Sequence, residues 1–211
     1  MRNFIANCIS IILIPFFAPT YLFCIILFYF PNLTSIATLN FKLEAIAYIF
    51  ISTTLLPLIF IFLLFKLKKI KTLTLDDKKD RTLPQLFSCL NYLLVSLFLI
   101  YKLGINDALT LCIFASTISL ISITIITYFW KISAHTSGIS GILAIVMVLY
   151  FKYNSNSFLF PCIIIGCLTF AVCMARLHLK VHTPLQIIYG CLLGSSIGFL
   201  LFFFSNIPLN N

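Results

Sequence analysis

Apolar runs of membrane length, divided by short polar breaks, organise this chain from end to end. A helix that crosses a bilayer needs roughly 20 apolar residues. Runs near 8–30, 44–66, 86–101, 107–129, 137–151, 158–175 and 184–204 therefore read as crossings. The fifth is short for a full crossing, so the pattern predicts six or seven, with seven preferred. Pro15 and Pro19 predict that the first is kinked or broken into a re-entrant piece. The one long polar stretch is 67–85. With seven crossings, this loop, the loop at His135 and the loop at His182 are each separated by two crossings and share one membrane face.

Composition turns that pattern into a class. Of 211 residues, 62% are hydrophobic and 9% charged, and the mean hydropathy is +1.14. A soluble domain of this length cannot hide so much apolar surface, so residues 1–211 are expected to form a single integral membrane domain, all-α and polytopic. The bilayer is then its partner. Nucleic acid is not, because no soluble basic face exists to carry it. The net charge of +9 is uneven. Arg2, Lys66, Lys68, Lys69, Lys71, Lys78, Lys79, Arg81, Lys131, Arg176 and Lys180 fall on the shared face, and Lys42, Lys102 and Lys152 on the other. The positive-inside rule would place the shared face in the cytoplasm. The eight cysteines form no Cys-x-x-Cys pair and read as small buried hydrophobes. Ile5-Ala-Asn-Cys8 has no apolar region ahead of it, and the apolar stretch runs on to about Phe30, so the N-terminal run is expected to be a retained helix.

Few polar residues are available in such a chain, and two clusters of them contain histidine. The first is Lys131-Ile-Ser-Ala-His135-Thr-Ser-Gly138 and the second Arg176-Leu-His-Leu-Lys180-Val-His182-Thr-Pro-Leu-Gln186. Thr183-Pro184-Leu-Gln186 has the form of a helix start, with Thr as N-cap, Pro at the first position and Gln three residues after the cap. His182 then sits just before a helix N-terminus, where N–H groups and the macrodipole favour an anion. Arg176 and Lys180, four apart, share a face if that stretch is helical. Ser133 and Thr136 can cap or donate, and Arg81-Thr82-Leu-Pro84-Gln85 reads as a third capped start. Two imidazoles among cations suit phosphoryl transfer: one attacks phosphorus, the other protonates the leaving alkoxide, and the cations stabilise the transition state without a metal or other cofactor.

These residues resemble the signatures of the type 2 phosphatidic acid phosphatases, the membrane branch of the vanadium haloperoxidase superfamily. Its second motif reads Pro-Ser-Gly-His, and here Ile132-Ser133-Ala134-His135 keeps Ser and His. Its third reads Ser-Arg-x5-His-x3-Asp, and here Ala175-Arg176-x5-His182-x3-Gln186 keeps Arg and His at that spacing. In its first, Lys-x6-Arg-Pro, Arg81 is kept while Thr74 takes the Lys position and Pro84 is displaced by two residues. The resemblance covers roughly 78–204. It implies His182 as nucleophile, His135 as acid, and Arg81 and Arg176 as phosphate ligands, with Lys78 or Lys79 as a substitute for the lysine of the first motif. The family's Asp orients the nucleophilic ring, a role Gln186 can take without the charge. Ser133 and Lys180 are further candidate phosphate ligands.

Plainer readings stand beside these. A lone interfacial His contacts headgroups, the reading given to His178. Gln186 serves equally as a capping-box residue, and Lys131 and Lys180 serve equally as headgroup contacts. Gly190, Gly194 and Gly198 suit close helix packing. The expected function is a lipid phosphate phosphatase working through phosphohistidine in a bacterial inner membrane. The alternatives are a catalytically degenerate binder of anionic lipid or phosphate, and a phosphotransferase of the same fold.

Overall fold

A computed structural model describes residues 2–35, 38–73, 75, 78–153 and 159–207, without the side chains of Arg2, Lys78 and Lys79. The regular structure is helical: α1 (Arg2–Ile12), α2 (Ala18–Tyr29), α3 (Leu39–Ile49), α4 (Leu56–Lys66), α5 (Lys78–Leu103), α6 (Ala108–Phe129), α7 (Ala134–Tyr153), α8 (Leu159–His178) and α9 (Pro184–Phe203). A 3-10 turn, Pro15–Phe17, joins α1 to α2, and a π-helical segment, Phe50–Leu55, joins α3 to α4. Joined in this way, seven helical stretches among the described residues are long and apolar enough to cross a membrane. Large apolar side chains such as Ile59, Leu94, Phe170 and Leu200 lie exposed on the outside. In water that surface would be an aggregation hazard, and in lipid it is solvated. The chain is an all-α integral membrane protein.

Proline explains both internal breaks. Pro57 has no N–H to give the Thr53 carbonyl, and the turn before it loosens into the π-helical segment. In a bilayer the freed carbonyls need other donors. Tyr92 Oη donates to the Thr53 carbonyl at 3.2 Å, and Asn91 Nδ2 donates to that of Ser52. Pro15 opens the 3-10 turn, where the Phe16 carbonyl accepts Thr54 Oγ1 at 2.8 Å. The predicted break of the first span is therefore present, and it ends α1 at Ile12.

One predicted helix start is corrected. The Arg81–Gln85 stretch does not begin a helix: α5 is already under way at Lys78, and Pro84 lies inside it. A charged run reads as loop, yet Asp80 is 8% exposed and its carboxylate accepts the Lys71 N–H at 2.8 Å. That bond ties the start of α5 to the preceding loop and sets an acidic residue in the first turn, where the helix dipole favours it.

The backbones of α7 and α9 approach closely, and their contact positions the site. A side chain at Gly194 would collide with the Ser137 carbonyl, and a Cβ at Gly198 would lie 2.8 Å from that of Gly141. Glycine lets the two backbones meet, as the sequence spacing predicts. Interhelical hydrogen bonds then lock the pair: Thr136 Oγ1 to the Ile187 carbonyl (3.2 Å) and Ser140 Oγ to that of Cys191 (3.0 Å). The start of α7, with His135, is held against the start of α9, with His182 just before it.

Candidate active site

Helix ends build the site. α8 stops at His178, its last turn closed by Leu179 N–H to the Ala175 carbonyl (3.0 Å) and Lys180 N–H to that of Leu177 (2.9 Å). Lys180 takes a left-handed conformation, φ 54°, that turns the chain toward α9. Arg176 and Lys180 therefore do not share a helix face, which corrects that expectation. Thr183 then caps α9 as predicted. Its Oγ1 accepts the Gln186 N–H (3.4 Å), Gln186 Oε1 accepts the Thr183 N–H (3.2 Å), and Pro184 opens the helix.

That capping box fixes the chemistry of His182. Gln186 Oε1 also lies 3.0 Å from His182 Nδ1. The oxygen is identified by its second donor, since a flipped amide would oppose NH2 to the Thr183 N–H. Nδ1 must then carry the hydrogen, and Nε2 keeps its lone pair. The one side chain both caps α9 and bonds the His182 ring. His182 is 7% exposed. Burial first, then the charges of Arg176, Lys131 and Arg81, push its imidazole down to about 4 against the opposing Gln186 bond. At neutral pH it is an uncharged ring with a bare Nε2, the form a nucleophile needs.

His135 occupies the first turn of α7. The buried Ser133 caps that helix, Oγ accepting the Thr136 N–H at 3.4 Å, and its own N–H donates to the Gln186 carbonyl at 3.3 Å. The two histidine loops are thereby joined through backbone. His135 Nε2 lies 3.2 Å from the Ser10 carbonyl, and because a carbonyl only accepts, Nε2 is the donor. The charges of Arg176 and Arg81 act on His135 as they do on His182, and the two rings also feel one another. The Ser133–Gln186 bond sets the two histidine loops side by side, and Arg176 and Arg81, the latter about a hundred residues from His182 in sequence, lie close enough for their charges to act on both rings.

The remaining predicted residues separate. Arg81 Nε donates to the Leu75 carbonyl at 2.7 Å, which aims the guanidinium from the first turn of α5. Lys180 is exposed on the turn after α8, whereas the charge of Lys131 acts on His182. The Lys79 side chain and Thr74 lie outside the described residues. His178 meets Asn3 Oδ1 at 2.9 Å, so the interfacial histidine pins α1 to α8. No protein-family model, curated protein or solved structure matches the chain.

Ser10 is the site residue that no motif pointed to. A signal for it does exist in the sequence. Pro15 ends α1 early, and the last carbonyls of a helix lack internal partners. A donor from another helix was needed there, and His135 supplies it.

Proposed function

We propose that the protein hydrolyses a phosphomonoester or diphosphate of a membrane lipid, as a variant member of the type 2 phosphatidic acid phosphatase family. The observation that carries this reading is the Gln186–His182 bond, which leaves Nε2 bare on a ring that the charges of Arg176 and Arg81 reach. His182 Nε2 attacks phosphorus, and the bond to the lipid oxygen breaks. His135, as the imidazolium opposite the bound anion, gives a proton to the departing alkoxide. Arg81 and Arg176 hold the phosphoryl oxygens, each well-placed donor to developing charge contributing roughly 3 kcal/mol. Water then attacks the phosphohistidine, gives its proton back to His135, and inorganic phosphate leaves. No metal takes part in these steps. A bacterial inner membrane is the proposed location, with the site on the cytoplasmic face by the charge rule.

A second reading has an observation of its own. Gln186 gives His182 a neutral partner where the family has a carboxylate, and a bond to an ionised partner is roughly twice as strong. A protein that binds anionic lipid without turnover fits that weakening. Phosphate release from a panel of lipid phosphates, with EDTA present, tests the proposal. Wild type is expected to release phosphate and His182→Ala to release none above background. Absence of release by wild type across the panel overturns the hydrolase. Transfer to an added alcohol without release identifies a phosphotransferase.

A further inference from the structure

An open groove lies between the end of α6 with the turn after it and α9. Its volume is about 610 Å³, within the range of roughly 300–1,000 Å³ typical of ligand pockets. Ile126, Trp130 and Ile132 form one wall, and Tyr189, Leu193 and Ser196, on α9, form the other. Both walls are close in the chain to residues of the candidate site. Trp130 and Ile132 flank Lys131, whose charge acts on His182, and Tyr189 is three residues after Gln186. Trp130 and Tyr189, one from each wall, meet edge to face with ring centroids 5.5 Å apart. Such amphipathic rings sit at the level of lipid headgroups. From Tyr189 to Ser196 the groove follows α9 inward for about 10 Å, at 1.5 Å per residue.

We infer that this groove holds one hydrocarbon chain of the lipid whose phosphorus lies at His182, with Lys131 over the polar junction between chain and phosphate. The inference rests on the phosphatase reading for the position of the phosphorus. Lys131, between the lining residues Trp130 and Ile132, sets a positive charge beside the groove that ordinary lipid-facing surface lacks, and this favours the chain of an anionic lipid. Burial in the groove replaces one apolar solvent with another, so the hydrophobic effect supplies little. The groove acts by shape, aligning the ester for attack, and its loss affects long-chain substrates alone.

Ser196→Phe plugs the deep end of the groove, away from the histidines. We expect kcat/KM for dioleoyl phosphatidic acid in mixed micelles to fall about tenfold, and for p-nitrophenyl phosphate, which has no chain, to stay within about twofold. Equal effects on both substrates, or on neither, in a variant with unchanged circular dichroism overturn the groove. Photolabelling gives a readout that needs no turnover. A phosphatidic acid carrying a diazirine in one acyl chain should label the 126–132 and 189–196 segments of wild type. Excess phosphatidic acid should displace that label, and diacylglycerol of the same chains should not. Labelling spread evenly over the outward-facing helices, or a groove shielded by a second copy of the chain, overturns the inference. Labelling as expected in a protein that releases no phosphate keeps the groove and removes the hydrolase.

Discussion

The two ends of the helical bundle solve the same electrostatic problem in opposite ways. At one end, the N-terminus of α6 is capped by the protein's own anion. Asp107 accepts the Leu109 N–H at 2.9 Å, Thr34 Oγ1 at 3.0 Å and the Ser35 N–H at 3.2 Å, and is 7% exposed. Burial raises its carboxyl from the usual range while those three donors oppose the shift. At the other end, the N-terminus of α9 has a neutral cap, Thr183 with Gln186, and Arg176, Lys131 and Arg81 crowd the adjacent His182. Cations and helix-end donors converge there on a ring that burial keeps uncharged. A node whose polar groups satisfy one another is structural. Around the neutral ring of His182 the acting charges are positive, which supports the proposed reading of an anionic substrate.

The contrast is sharpest where a cation is removed. Arg176→Ala should lower phosphate release about 10²–10³-fold, and Asp107→Ala should leave it unchanged, measured per folded protein. Asp107→Ala should instead lower stability by about 1–2 kcal/mol, the usual loss for a helix cap, read as a shift in thermal unfolding in detergent. A drop in turnover from the Asp107 variant would mean that the two ends are not independent.

The neutrality of the cap can be reversed directly. Gln186→Glu places a carboxylate beside His182 and should raise the pH at which its ring titrates by at least about one unit, some 1.4 kcal/mol. Histidine-labelled NMR reads this, starting from about 4 in the wild type. The wild-type ring binds its proton less readily folded than unfolded. The unfolded chain therefore holds the extra proton between about pH 6.5 and 4, and stability falls as pH drops through that window. A wild-type ring titrating above 7 would be charged at neutral pH, and its Nε2 would then carry a proton. The smallest effect concerns the lysines. Lys180→Ala, on an exposed turn, should change release by less than about twofold, and Lys131→Ala by more than Lys180→Ala.

Much of this was legible from residue pattern because membrane solvent leaves few choices. Seven apolar runs set the crossings, and an even number of crossings between His135 and His182 put them on one face. Thr183-Pro184-Leu-Gln186 specified its own cap, and the Gly190, Gly194 and Gly198 spacing marked the tight side of α9. The start of α5 was not legible, because Asp80 and Lys78 read as solvated loop until the Lys71 N–H is seen to bond the Asp80 carboxylate. Nor was the contact of Ser10 with His135, which spans 125 residues and uses a backbone carbonyl, an atom every residue has. Arg176 and Lys180 looked like a pair only while the helix was assumed to continue. The left-handed Lys180 ends it.

Rapid acid-free quench with a lipid bearing ³²P at its phosphate, followed by mapping of the labelled peptide, is the most direct test of convergence on one phosphorus. We expect an acid-labile, base-stable phosphoryl group on His182, absent from His182→Ala and formed more slowly in His135→Ala. Label on any other residue, or phosphate release from wild type with His182 unlabelled at every time point, would contradict the account.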